Sequence, residues 1–290
     1  MKPSYDAARA EGKAVGLGIA LKNSGLGNGF VEVSKAVIRL DPDGSVEVRH
    51  CWTEMGQGVH NVALQVAAEE LDIDPDRIRV VVDTTRELGA GQTTGSRGTV
   101  MAAGGVADAC RAAKEGGLET GIDYYGEYVV DWTDALEDDV EHPTIHSAFG
   151  YAAQVAIADR ETGVIEKVIA AHDVGRAVNP NLVEGQIEGA VHMGVGYALT
   201  EEFPTDELAR PTKHTLRSLG IIRAKDMPDV ETIIVEVPQP RSPFGVKGVG
   251  EIGLVPTAGA IAAALYEVDG VRRTRTPMNV HEPLRERSTT

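Results

Sequence analysis

The stretch Pro243 to Tyr266, PFGVKGVGEIGLVPTAGAIAAALY, sets one carboxylate, Glu251, between closely spaced glycines and an apolar helix. Gly245, Gly248, Gly250 and Gly253 lack a Cβ, so the backbone there can take positive φ and approach a bound object closely. Pro256 suits a first helical turn, and Ala258, Ile261, Ala262 and Leu265 follow at spacings of three and four. A loop of this kind can hold a single acid in a fixed orientation beside a ligand. The alternative is a tight turn bearing a solvated glutamate.

Three further places share the plan of an apolar strand, a glycine-rich or small polar turn, and a helix: Glu54 to Gly58, Thr93 to Gly98, and the region Val174 to Gly196. At the first, Gly56, Gln57 and Gly58 stand where a helix begins, and the free N–H groups and dipole of a helix start favour a negative ligand. Gln57 adds an amide that both donates and accepts. At the second, Thr94, Gly95, Ser96 and Arg97 bring hydroxyl, backbone and guanidinium donors together, and an arginine fork suits phosphate. At the third, Asn179-Pro180 signals a helix start, Gln186 lies near that start as a candidate donor, and Gly185, Gly189 and Gly194 run along the helix. A glycine inside a helix costs roughly 1 kcal/mol against alanine, so these three suggest a ligand or another backbone passing close. Two local alternatives stay open: a plain helix start at Gly56 to Gly58, and an N-cap at Ser96 with Arg97 in solvent. Together the four turns suggest one large polyanionic ligand.

The elements that must position these turns can be read in order. Residues 1–16 give a short polar helix ended by Gly12, leading into a strand from Val15 to Leu21. LKNSGLGNGF is a turn rich in Gly and Asn, and VEVSKAVIRLDPDGSVEVRH alternates and breaks at Asp41 to Gly44 as a β-hairpin. A strand to Trp52, a helix from Val59 to Leu71 burying Val62, Ala63, Val66 and Ala67, and a strand from Arg77 to Asp83 make a strand–helix–strand unit. A small-residue helix runs from about Val100 to Ala113. Gly116 to Gly121 marks a boundary between lobes, after which YYGEYVVDWTDALEDDVEHP carries an acidic, solvated loop. Strands Ser147 to Ala158 and Val164 to His172 form a second hairpin, residues 201–227 are polar and weakly patterned, and Thr232 to Val237 is a strand feeding the Glu251 loop. The expectation is an α/β (mixed α+β) protein with mixed sheets in two lobes, 1–118 and 119–290.

Composition narrows the function classes. The 290 residues are 42% hydrophobic and 25% charged, an ordinary globular balance, and with 4% aromatics the core must be aliphatic. Lys and Arg total 28 against 44 Asp and Glu, a formal charge of -16, so no basic face for nucleic acid is expected. Cys51 and Cys110 read as free thiols, which fits a reduced cytosol. No apolar run approaches the ~20 residues of a membrane span and no signal sequence follows Met1, so a soluble, cytoplasmic chain is expected. His142 and His146 are four apart, but Pro143 lies between them and no cluster of further ligands follows, so no zinc site is read there.

EMGQG (54–58), TTGSRGT (93–99), HDVGRAVNPNLVEGQIEGAVHMGVGYALTEE (172–202) and GVKGVGE (245–251), in this order, resemble the molybdenum hydroxylase family of xanthine dehydrogenases and aldehyde oxidoreductases. The resemblance runs from about Gly16 to Pro277, and LKNSGLGNG is most similar to the selenium-dependent xanthine dehydrogenase branch. It implies that Glu251 is the base that takes a proton while oxygen from water is added to a carbon beside nitrogen, or to an aldehyde carbon. A carboxylate in that role is often raised by burial from its usual ~4.3 toward working pH. It also implies contacts to a molybdenum–pterin cofactor, molybdopterin or its cytosine dinucleotide. The contacting groups would be Gln57 with Gly56 and Gly58, the turn Thr94, Gly95, Ser96 and Arg97, then Gln186, and the backbone of Lys247, Gly248, Val249 and Gly250. No side chain would ligate the metal.

The chain resembles only the C-terminal half of the family's molybdenum-binding part. Two cysteines cannot hold a four-cysteine iron–sulfur cluster. The resemblance therefore implies partner chains: one supplying the N-terminal half, which clamps the purine in relatives, an iron–sulfur subunit and a FAD subunit. The expected function is oxidative hydroxylation of an N-heterocycle such as xanthine or another purine, by a chain inactive without those partners. Aldehyde or another heterocycle is the alternative substrate, and a non-catalytic truncated remnant or a free nucleotide-binding module are the alternative classes. The excess of acidic residues also suggests adaptation to high salt, where screening relieves self-repulsion. Unfolding in low and high KCl checks this: stability should rise with salt, and equal stability in both would contradict it.

Overall fold

The computed structural model describes residues 1–23, 26–89 and 91–278. Ser24 and Gly25 of the expected Gly/Asn-rich turn lie outside the described residues. Two four-stranded mixed sheets, each backed by helices, make up an α/β fold. The first sheet has the order β4 (Ile78–Val82), β3 (Val46–His50), β2 (Glu32–Leu40), β5 (Asp123–Val130). β2 and β3 form the hairpin at Asp41–Gly44, while β3 and β4 run parallel across α2 (Val59–Leu71), the strand–helix–strand unit read from periodicity. α2 and α3 (Gly98–Glu115) pack their small and branched residues on this sheet, with Ile38, Val48, Val66, Val106 and Cys110 at the centre. Burial pushes the Cys110 thiol up to about 12, and both cysteines are free.

The second sheet has the order β1 (Ala14–Asn23), β6 (Phe149–Ala158), β7 (Ile165–Asp173), β8 (Asp229–Val235). β6 and β7 are the second hairpin, and β7 and β8 run parallel across α4 (Pro180–Leu199). α4 and α5 (Thr257–Asp269) cover one face through Ile187, Val191, Ile261 and Leu265. α1 (Lys2–Ala10) covers part of the other through Ala8, against Val15, Val155 and Ile169. Among the described residues no helix is long and apolar enough to cross a membrane.

Three expectations are corrected. The sheets do not divide at 118/119: β1 pairs along its whole length with β6, from Ala14↔Ala158 to Asn23↔Phe149, and β5 pairs with β2. Glycines explain both placements. A Cβ on Gly16 would lie 2.0 Å from the Ala260 carbonyl oxygen and one on Gly18 2.2 Å from that of Pro256, so β1 accepts α5 directly on its backbone. Gly126 does the same for α3, its absent Cβ falling 2.0 Å from the Ala109 nitrogen, which is why a stretch read as solvated begins with a strand. The acidic residues beyond it, 134–142, remain largely exposed. On α5 the buried face is Thr257, Ala260, Ile261, Ala264 and Leu265, with Ala258 and Ala262 at its rim. Of the three α4 glycines expected to admit a close neighbour, Gly194 meets Thr257, whereas Gly185 and Gly189 face open space.

Gly16→Ala tests the seating of β1. It should lower the free energy of unfolding by about 3 kcal/mol, because the clash is with helix backbone that cannot rotate away. Urea denaturation measures this.

Candidate functional site

Two loops meet where a side chain is missing. A Cβ on Gly248 would sit 1.4 Å from the Ser96 carbonyl oxygen, so the turn before α3 and the loop before α5 are in direct backbone contact. Gly95 and Ser96 both take left-handed φ, 61° and 62°, which brings the Ser96 side chain round to the other loop. The Ser96 hydroxyl donates to Glu251 Oε2 at 2.9 Å and accepts from the Glu251 N–H at 3.0 Å. Lys22, near the end of β1, sets its ammonium on the same Oε2 and donates to the Gly95 carbonyl at 3.1 Å.

Beside this junction lies a cleft of about 340 Å³, within the range of small-molecule sites. Gln57, Thr94 to Arg97, Gln186 and Lys247 to Glu251 all line it, so residues from all four sequence turns come together. Val59, Val62 and Leu182 give it apolar walls. Gly56 and Gly58 do not line it; both have positive φ, and Gly58 lies against Leu182.

The Glu251 side chain is 47% exposed. Its partial burial raises its affinity for a proton, but the hydrogen bonds from Lys22 and Ser96 and the Lys22 charge outweigh that and hold the carboxyl below its ordinary range. The upward shift common for bases of this kind is therefore not what its neighbours produce: half exposure weakens desolvation, and a cation stands beside it.

Other expected donors are already engaged. The start of α2 holds an anion of its own, since Glu54 accepts from the N–H groups of Gly56, Gly58 and His60. Gln57 turns back on its own loop, donating to the Thr53 carbonyl at 2.7 Å and accepting from the Met55 N–H. Arg97 is buried rather than solvated, and its guanidinium pairs with Glu32 and donates to the Gln92 carbonyl. The Lys247 ammonium is buried against Asp173 at 2.5 Å, so its charge is already paired. The start of α3 has no side-chain cap and opens on the cleft at Gly98 and Thr99, so it is the helix terminus left to attract negative charge. Gln186 projects from α4, whose own start is capped by Asn179.

Sequence reasoning missed Lys22 and Gln154. Gln154 is fully buried on β6, donates to the Gly253 carbonyl at 2.6 Å and accepts from Thr257 Oγ at 2.8 Å, so it ties the exit of the Glu251 loop to the sheet. His172, which lies 3.2 Å from Gln154 Nε2, is pushed down to about 4 by burial and is neutral. Neither Lys22 nor Gln154 carries a local signal. A lysine at a strand end and a glutamine in an apolar strand become informative only through the pairing of β1 with β6.

Comparisons with known proteins bear on the family and the fold. The family model of the molybdopterin cofactor-binding domain matches residues 1–122 and 117–228. The chain is 33% identical to the 6-hydroxypseudooxynicotine dehydrogenase complex subunit gamma of Paenarthrobacter nicotinovorans, over 93% of this chain and 39% of that protein. It is 28% identical to the aldehyde oxidoreductase molybdenum-binding subunit PaoC of Escherichia coli K12, over 93% of this chain and 40% of that one. The crystal structure of the aldehyde oxidoreductase from Desulfovibrio desulfuricans superposes with a TM-score of 0.79 and 28% identity, covering 94% of this chain and 33% of that one. The chain thus spans about two fifths or less of the relatives it matches.

Two substitutions separate contact from mere loop position. Gly248→Ala should cost about 3 kcal/mol in denaturant unfolding, because Ser96 backbone fills the space. Gly250→Ala should change stability little, since its nearest neighbour, Ser96 Oγ, is 3.5 Å away.

Proposed function

Because the chain belongs to the molybdopterin cofactor-binding domain family, we propose that it is the C-terminal part of a molybdenum hydroxylase catalytic subunit. Its reaction is the oxidative hydroxylation of an N-heterocycle such as a purine, with water as the source of oxygen. The observation that carries this reading is the single carboxylate, Glu251, held by Ser96 at the edge of a cleft assembled from four separate turns.

The residues present fit a molybdenum–pterin group. The uncapped start of α3 offers N–H groups and a favourable dipole to a phosphate, and Gln186 offers an amide to a heterocycle, as Gln57 would on giving up its bonds to Thr53 and Met55. Gly248, Val249 and Gly250 bring their stretch of the loop to the cleft wall. When bound, the group supplies the two-electron redox chemistry. Glu251 then acts as general base, accepting a proton at a carboxylate that is ionised before substrate arrives. Its position follows from Ser96, which fixes both its backbone and its side chain.

An aldehyde is the second substrate reading, favoured because two of the relatives are named aldehyde oxidoreductases. The share of the relatives that this chain spans supports a partner segment or chain that supplies the rest of the molybdenum subunit. Iron–sulfur and FAD subunits complete the proposed complex, in line with a relative named as one subunit of a dehydrogenase complex.

Pull-down from the native host, with molybdenum counted per chain, tests the assignment. Near-stoichiometric metal together with such partners is expected, and a chain without either is the outcome for a remnant. In the assembled complex, Glu251→Gln should reduce kcat by about 100-fold or more while the molybdenum content stays unchanged. Undiminished turnover would remove Glu251 from the chemistry.

A further inference from the structure

Lys22 stands opposite Gly150 in the β1–β6 register. Gly150 has no side chain, and a Cβ there would lie 3.7 Å from Ile252, the residue after Glu251. The strand pair therefore leaves room for the lysine stem on the side of the Glu251 loop. The Lys22 side chain is 18% exposed, and its ammonium has three donors to place. One goes to Glu251 Oε2, one to the Gly95 carbonyl at 3.1 Å, and the Ser96 hydroxyl lies at 3.5 Å.

The other cations near this junction are committed elsewhere. Arg97, from the start of α3, pairs with Glu32, and Lys247, from the loop itself, pairs with Asp173. Arg176 lines the same cleft from the segment after β7 without an ion pair to Glu251. Among the described residues Lys22 is the cation on Glu251, and both it and Ser96 engage Oε2, leaving Oε1 without a protein hydrogen bond.

We propose that Lys22 is a positioning residue for Glu251, pinning Oε2 against the Ser96 hydroxyl so that Oε1 is the oxygen left free to accept a proton. Two groups from separate elements then fix one rotamer of the carboxylate, the β1 ammonium and the serine before α3, and the same serine holds the Glu251 N–H. A proton taken at Oε1 sits on a group whose other oxygen faces a cation, which favours its release to the half-exposed mouth. The catalytic meaning of this arrangement rests on reading Glu251 as the base, whereas the ion pair does not.

The test begins with the complete chain, labelled with ¹³C at the glutamate carboxyl carbons and titrated by NMR, with Glu251→Gln identifying the resonance. Wild-type Glu251 should ionise at lower pH than the exposed glutamates. Lys22→Met should raise its proton affinity about tenfold or more, and Lys22→Arg, which keeps the charge, should restore most of the wild-type behaviour. A wild-type Glu251 that titrates with the exposed glutamates overturns the proposal without recourse to any variant, as does an unmoved midpoint in Lys22→Met. In the assembled complex the acid limb of kcat/KM should move to higher pH in Lys22→Met in step with the NMR midpoint. An NMR shift with an unmoved acid limb would leave the ion pair standing and refute Glu251 as the base.

Discussion

Residue 248 has no side chain, and the carbonyl of Ser96 occupies the space where one would be. That contact joins the two halves of the site. The Glu251 loop is held on two further sides, by the bridge between Gly175 and Val246 at the end of β7 and by the Gln154 amide on the Gly253 carbonyl. A loop with anchors before, within and after its functional residue has little freedom to lose when a ligand arrives, which is the condition for an oriented base. The glycines serve this anchoring as much as any ligand: Gly175 admits the backbone of residues 245–247, and Gly253 admits Ala190 of α4.

Local features were legible in the sequence. α2 begins and ends where its periodicity and its flanking turns say, both hairpins stand at their expected turns, and each of the four small-residue turns contributes residues to one cleft. What escaped was whatever depends on partners distant in the chain. The period-two pattern of β1 says that it is a strand but not whose neighbour it is, and DYYGEYVV merges into the acidic loop that follows. Roles based on charge were the least legible. Arg97 and Lys247 have the chemistry to meet a phosphate, but each is buried beside a carboxylate, and a buried cation left unpaired would cost more than the contact could return. At Glu54 the sequence supplied the anion that the turn was read as awaiting.

The electrostatics of the cleft follow from this pairing. With Arg97, Lys247 and the start of α2 satisfied internally, the attraction left for an anionic ligand comes from the uncapped start of α3 and from Arg176. Recognition then leans on backbone N–H groups, amides and apolar walls more than on full charges. Such contacts are short in reach and demanding in geometry, and they select by shape.

The interleaving of the sheets bears on how the chain reaches this structure. β1 precedes β2 to β5 in the sequence, yet the strand it pairs with, β6, lies beyond the whole of the other sheet. Until β6 is made, β1 lacks the strand it pairs with, while β2 to β5 can already close on α2 and α3. The β1–β6 pairing therefore forms through contacts of high sequence separation, a class that slows folding. The ammonium that meets Glu251 is carried by β1, so the site needs this long-range pairing as well as the folding of its own loop.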